Sequence, residues 1–357
     1  MARGNEVEVE VESSDMPTRV LRVSSASRVV FPATDITPAI TKLELVRYLL
    51  TVGDPLLRVL AGRPTTLERW PGGVHPGMTL GHGAEAGGFY QKHMMRAAPS
   101  YVEGVYVTFP SKRVAKEVCP TELATLIWCA QMGTITFHPW PVRRTNNPHS
   151  LDNPDELRID LDPQPGTTFD DVIRVALAAR DLLQEFGMTS FCKTSGGRGV
   201  HVFVKINPVW DFLDVRHAAI AFGRELQRRD KGVTTEWWRE LRGARIFIDY
   251  NQNCRDRTMA SAWSPRSLPG APVSTPVTWD ELEKTRDPRE FNLITVPTHL
   301  ASRGDPWHSI DEVHHSLDHL LELWKSDPVE MSFPPDYPKM PGEPKRVQPS
   351  RDADRPR

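Results

Sequence analysis

Apolar and polar residues alternate most strictly at residues 157–163, Leu-Arg-Ile-Asp-Leu-Asp-Pro. Leu157, Ile159 and Leu161 fall on one side and Arg158, Asp160 and Asp162 on the other, the period of two that marks a half-buried strand. The two carboxylates then stand side by side, roughly 7 Å apart at Cα. Pro163 stops the strand just beyond them. An isolated Asp-x-Asp also describes a solvated strand edge. Equally, two neighbouring carboxylates without a counter-charge suit hard divalent cations, which prefer oxygen ligands and can be bridged by such a pair.

Elsewhere the pattern alternates between periods of two and 3.6. Residues 1–17 alternate Glu and Val and then turn polar, which reads as a frayed strand or a flexible acidic arm. Residues 20–32 read as two short strands about a polar turn. Thr41 or Thr37 is placed to cap a helix over Lys42–Gly53. A strand and turn are expected within 63–76, a mobile Gly-rich loop at 79–88, a strand at 101–108, a helix at 120–132 and a strand at 133–143. Thr168 and Asp171 form a capping pattern for a helix that runs to Phe186 and stops at Gly187. Two strands follow at 190–195 and 200–206, joined by Gly-Gly-Arg-Gly, a hairpin signal. An amphipathic helix covers about 212–229. In 245–250, Arg-Ile-Phe-Ile-Asp-Tyr, Asp249 is a third carboxylate on a strand rich in apolar groups. Short elements at 279–286 and 289–294 and a helix at 310–325 complete the body. The hairpin means that the sheet is not all parallel, so the fold class is α+β. The domain plan is a flexible arm at 1–17, a catalytic domain at 18–330 and a Pro-rich tail at 331–357, disordered at its end and draped on the body before that.

Composition adds limits. Hydrophobic content of 39% and charged content of 25% fit a globular protein with a sizeable core. No apolar run approaches a membrane span, and the N-terminus lacks the apolar stretch of a signal peptide. The four cysteines, at 119, 129, 192 and 254, form no C-x-x-C pair, which argues against zinc and for a reducing, cytoplasmic setting. The formal net charge of -2 is not that of a broadly basic nucleic-acid binder, so any nucleic-acid surface must be local. Carboxylates on two strands, a Gly-rich turn with Ser195 and Arg198, and His138 and His201 on strands together suit phosphoryl or nucleotidyl transfer. Exposed amides of a Gly-rich turn can cradle phosphate. No P-loop is present.

These stretches, taken together, resemble a known family. AGRPTTLERWPGG, FYQKHMMRAAPSYV, TFHPWPVR, LRIDLDP, KTSGGRGVHVF and FIDYNQN followed by SPR occur in the order found in the polymerase domain of bacterial ligase D, within the archaeo-eukaryotic primase superfamily. They span roughly residues 25–300. The resemblance implies a primase-type core of two packed lobes with mixed or antiparallel sheets, one like that of RNA-recognition folds. The implied activity is templated addition of nucleotides, preferentially ribonucleotides, to primer 3′ ends, with gap filling in bacterial DNA repair at the nucleoid. Asp160, Asp162 and Asp249 would bind two Mg²⁺ or Mn²⁺ ions. His138, Ser195, Arg198 and Arg266 would contact the incoming nucleotide. His201 is either a further nucleotide contact or a cap of the hairpin. Phe89 and Tyr90 match an aromatic pair that packs on template bases, and Arg28, Lys42 and Arg69 match basic positions that hold downstream DNA. Implied partners are primed or gapped DNA, nucleoside triphosphates, and Ku or a separate DNA ligase, for a monomer without membrane attachment. The absence of ligase and nuclease segments points to a stand-alone relative.

Three departures from the family stand out. Arg198 replaces the usual Lys, which keeps the charge but changes the hydrogen-bond geometry. Glu68 stands where relatives are often basic. The 79–88 segment reads as an insertion ahead of the aromatic pair. A non-catalytic DNA-end or gap-binding factor is the alternative function, and a metal-dependent nuclease a third. The first has no physical need for three clustered Asp residues, and the second has no need of a triphosphate cradle.

Overall fold

The computed structural model describes residues 5–12, 16–81 and 86–352. Two six-stranded sheets form the body, each packed against helices. In the first, the strand order is Val233–Thr234, Ile246–Ile248, Glu156–Pro163, Val200–Lys205, Phe191–Thr194 and Pro276–Val277. All neighbours are antiparallel except the first two strands. With helices Phe169–Glu185 and Phe212–Arg229 between its strands, this lobe has the split β-α-β-β-α-β arrangement expected of an RNA-recognition-type sheet. Leu157, Ile159 and Leu161 are fully buried beneath these helices, so the alternation of the central strand is explained by one apolar face. On its other face Glu156 and Arg158 are also buried, and only Asp160 and Asp162 reach the open cleft.

The burial of Glu156 and Arg158 is made tolerable by an ionic network that joins the lobes. Arg63 binds Asp155 and Glu156 at 2.6 Å each, Arg158 binds Glu156 at 2.8 Å, and Lys205 binds Asp155 at 2.7 Å. Every charge has partners, which a dry interior requires. Arg63 leads directly into Thr65–Arg69, the central strand of the second sheet. That strand pairs with Thr134–Pro139 along one edge, while Ala86–Gln91 and Val114–Val118 share the other. Helices Lys42–Thr51, Gly53–Leu60 and Leu123–Gln131 cover this sheet, and the larger of two apolar clusters runs through both lobes, the smaller one gathering Val107, Phe109, Ala115, Trp140, Val142 and Phe212.

Local signals set the boundaries. Thr41, not Thr37, caps the first helix, in a capping box with Glu44. Thr168 and Asp171 form the same device, and Gly187 follows that helix with φ +70°. The sequence missed the strand Val114–Val118, whose inward positions include the charged Glu117 and whose outward positions include Val114. Of the two readings of the N-terminal arm, the strand is the one seen over part of its length. Val7–Val11 is a strand paired with Arg19–Val23, because Val11, Leu21 and Val23 share a buried face. Strands Arg19–Val23 and Val29–Phe31 both exist but do not pair with each other. Thr79–Leu80 pairs with Ala86–Gln91, and the remainder of the expected loop, 82–85, lies outside the described residues. The Pro-rich tail is draped along the body as far as residue 352, with Ser332, Phe333 and Glu343 buried. Residues 353–357 lie outside the described residues. Among the described residues no helix is long and apolar enough to cross a membrane.

Candidate active site

Asp160 and Asp249 meet because their strands are neighbours. The Asp249 amide donates to the Asp160 carbonyl at 3.1 Å. Asp249 is not itself on the strand, as its alternation suggested. The ladder ends at Ile248, and Asp249 caps the 3-10 turn Tyr250–Asn253, accepting from the Asn251 amide at 3.0 Å. That turn brings Gln252 back over the pair. Its Nε2 lies 3.3 Å from Asp160 Oδ2 and 3.4 Å from Asp249 Oδ2. Burial, then the charges of Asp249 and Asp162, push the Asp160 carboxyl up to about 8. Burial raises Asp249 as well. Asp162 differs. Its side chain is 52% exposed, accepts from Gln164 Nε2 at 3.1 Å, and lies 3.9 Å from Arg242 Nη1.

The donor set is all oxygen, mostly buried and of one charge, which fits Mg²⁺ or Mn²⁺. Among the described residues no three acidic, His or Cys side chains close around one point.

The hairpin Phe191–Thr194/Val200–Lys205 forms one wall. Its turn requires glycine at two positions. Gly196 has φ +71°, and a Cβ there would lie 2.5 Å from Arg266 Cγ. A Cβ on Gly199 would lie 2.6 Å from the Leu161 carbonyl oxygen. Ser195 Oγ accepts from the amides of Gly197 and Gly199, each at 3.1 Å. Those two amides are engaged by Ser195, so a phosphate cradle at this turn would have to draw on its other groups. The side-chain groups placed to face an anion are the Ser195 hydroxyl, Arg198 and Arg266. Arg198 is exposed at the tip, with no partner among the described residues. Arg266 Nη1 donates to the Ser195 carbonyl at 2.5 Å, which fixes the arginine against the turn.

His138 and His201 both line a cleft of about 380 Å³ with Asp160, Arg266, Gln252 and Tyr90. His201 Nδ1 is 2.7 Å from Lys193 Nζ, and its Nε2 is 3.4 Å from Asp160 Oδ1. Its side chain thus lies between Lys193 and the Asp160 carboxylate. Burial, then Arg266, holds Lys193 far below the ordinary lysine range, and burial, then Lys193, does the same to His201. His138 Nε2 is 3.0 Å from Glu68 Oε2. Glu68 is only 2% exposed and is turned to His138 instead of to solvent.

The aromatic pair is separated by strand geometry. Adjacent residues of Ala86–Gln91 point to opposite faces. Tyr90 stands edge-on to His138, with ring centroids 5.4 Å apart, whereas Phe89 lies against the Arg69 guanidinium at 5.3 Å. They do not form one stacking surface. Of the basic trio, Arg28 and Lys42 line a common cavity of about 220 Å³. Lys42 Nζ donates to the Ser24 carbonyl at 3.0 Å and Arg28 Nη1 to the Pro71 carbonyl at 2.7 Å. Burial, then Arg28, brings Lys42 down to about 8. Arg69 is turned toward the Met132 carbonyl, at the wall of that cavity, and Gln91. Sequence reasoning missed Glu68 as a partner of His138, Lys193, Gln252 and the Lys92–Asp256 pair at the cleft, where Nζ is 2.8 Å from both carboxylate oxygens. Only Gln252 had a signal, its place three residues after Asp249.

Residues 41–307 match the family model described as LigD, primase-polymerase domain. The chain is 32% identical over 303 residues to the multifunctional non-homologous end joining protein LigD of Pseudomonas aeruginosa, covering 83% of this chain and 33% of that protein. It is 26% identical over 270 residues to the bifunctional non-homologous end joining protein LigD of Bacillus subtilis, covering 75% and 41%. The chain therefore spans between a third and about two fifths of the length of these curated relatives. A solved structure, the polymerase domain from Mycobacterium tuberculosis ligase D in complex with DNA, is similar with a TM-score of 0.71 and 27% identity, covering 82% of this chain and 98% of that one. By sequence, by fold and by the convergence of its carboxylates, histidines and arginine on one cleft, the chain belongs to the LigD primase-polymerase domain family.

Proposed function

We propose that the protein is a DNA-templated nucleotidyltransferase that extends primer 3′ ends, prefers ribonucleotides and fills short gaps during end-joining repair. The observation that carries this reading is the pair Asp160 and Asp249, joined at Gln252 beside a cleft that also holds Arg266, His138 and His201. Two ions of the Mg²⁺ or Mn²⁺ type, held by Asp160, Asp249 and Asp162, would lower the pKa of the primer 3′-hydroxyl and neutralise the departing pyrophosphate. The chain's own residues do the remaining work. Arg266, fixed by the Ser195 carbonyl, and Arg198 at the turn tip present forked donors to triphosphate oxygens. His138 and the Ser195 hydroxyl are the candidates for the sugar, and a site built to bond a hydroxyl penalises its loss. Arg28 and Lys42 form a basic cavity suited to the 5′-phosphate of a downstream strand.

The test is incubation of the protein with a primed template, Mn²⁺ and labelled nucleotides. Template-directed extension is expected, with higher kcat/KM for ribonucleotides. Binding without extension would favour a gap-binding factor, and shortening of the primer a nuclease.

A further inference from the structure

Glu68 is a buried carboxylate to which the mechanism assigns no work. It nevertheless gathers three donors from three parts of the chain. His138 Nε2 lies at 3.0 Å, Trp70 Nε1 at 2.9 Å, and the Ser267 hydroxyl completes the set. Burial works against the charge of Glu68, but these donors, led by His138, bring it down to about 2. Burial lowers His138 despite the carboxylate. The pair at neutral pH is therefore an ionised carboxylate and a neutral imidazole.

That assignment has a geometric consequence. An ionised carboxylate only accepts, so the imidazole proton sits on Nε2, and Nδ1 carries a lone pair. Nδ1 has no partner among the described residues and is not among their sealed, unpaired polar atoms, so it is open to the cleft that His138 lines. The ring is braced by Tyr90, edge-on at 86°. Around it the cleft presents the donors Arg257, Arg266 and the Gln252 amide, the Lys92–Asp256 ion pair, and the Asp160 carboxylate. The cationic donors suit a triphosphate and the carboxylate of Asp160 suits a cation. The uncharged acceptor Nδ1 suits a hydroxyl.

We infer that Glu68 is a positioning residue that holds His138 with Nδ1 as an acceptor, and thereby sets the preference for a nucleotide whose ribose carries a 2′-hydroxyl donor. This rests on the polymerase reading above and adds the origin of its sugar selectivity. His201 marks the contrast, because its Nδ1 is engaged by Lys193 and it turns Nε2 toward Asp160.

Two measurements on the full chain test this. The first needs no activity. In protein labelled with ¹⁵N-histidine, long-range proton–nitrogen spectra report which ring nitrogen is protonated, with His138 assigned by its loss in His138→Gln. Protonated Nε2 and bare Nδ1 are expected at neutral pH, with a shift toward a mixture in Glu68→Gln. A proton on Nδ1 in the wild type overturns the proposal. The second is the ratio of kcat/KM for ribo- over deoxynucleotides on one primed template. Glu68→Gln is expected to lower it about tenfold, chiefly through the ribonucleotide KM, and to lower it no further in a His138→Ala background. Equal losses for both sugars, or additive losses in the double variant, would mean that Glu68 only holds the fold through Trp70 and Ser267. If the wild type shows the expected tautomer but extends nothing, the polymerase reading and the selectivity fall together, and the hold of Glu68 on His138 stands.

Discussion

Two regions of this molecule pack like charges together, and they relieve the repulsion differently. In the cleft, Asp160 and Asp249 share only the Gln252 amide, and Asp160 is pushed up to about 8. In the other lobe Arg28 and Lys42 share a cavity, and Lys42 is pushed down to about 8. The basic pair, however, is held by backbone carbonyls of Ser24 and Pro71, which stabilise positive charge directly. The acidic pair has the Gln252 amide between its carboxylates, the Asn251 amide on Asp249 and His201 beside Asp160. It stands to gain more from a cation than the basic cavity, whose charges carbonyls already meet, gains from an anion. On the proposed function a ligand is therefore expected to matter more at the first site than at the second.

The largest expected effect follows from that ranking. Asp160→Ala or Asp249→Ala should reduce primer extension by about a thousandfold or more, because a metal centre removes several kcal/mol of barrier. Binding to gapped DNA should change little, since phosphate contacts supply most of that affinity. Asp162→Ala should also abolish extension. Single-turnover extension and gel shifts on the same preparations check this, and extension within tenfold of wild type would remove the residue from the centre.

Gln252→Ala comes next. Removing the bridging amide leaves the carboxylates less well oriented, so the Mn²⁺ concentration for half-maximal extension should rise about 10–100-fold. Activity should largely recover at saturating metal. A lowered plateau with unchanged metal dependence would place Gln252 against substrate instead.

Much of this was legible in the chain, and the rest was hidden for physical reasons. The strand at 157–163, the hairpin and the capped helices follow from periodicity and from Thr168, Asp171 and Gly187, which are local signals. The convergence of Asp160 with Asp249 came only through family resemblance, because sequence separation says nothing about strand neighbours. Glu68 stood out only as a departure from the family's basic residues, and its burial depends on His138, Trp70 and Ser267 arriving from elsewhere. Lys193 was silent for the same reason, being tolerable in the core only beside His201 and Ser274. Phe89 and Tyr90 were read as a pair, although two consecutive strand residues face opposite ways.

At the basic cavity the effects are smaller. Lys42→Ala should weaken binding to gaps with a downstream 5′-phosphate about tenfold more than to unphosphorylated gaps, as expected for one charge-assisted contact. Arg69→Ala should discriminate less, because its guanidinium is committed to the Met132 carbonyl and Gln91. Titrations of both gaps at one fixed salt concentration decide this, and equal binding of the two gaps by the wild type would leave these residues as surface charges.

The finest test is the pH dependence of that discrimination. In the free protein, burial and the neighbouring charge of Arg28 bring Lys42 down to about 8. A terminal phosphate, doubly charged above its second pKa of about 6, favours the protonated lysine and so raises that value in the complex. Below about 8 the lysine is already charged in both states, and the preference for a phosphorylated gap should be level down to the point where the phosphate itself takes up a proton. Above about 8 binding must draw a proton from solution, so the preference should shrink by up to about tenfold per pH unit. Arg28→Ala removes the repulsion that lowers Lys42, and the break should then move to higher pH even as overall affinity falls. A preference that stays level a full unit above the wild-type break would mean that the ammonium group of Lys42 does not meet the phosphate. Arg28 would then have to account alone for whatever discrimination remained.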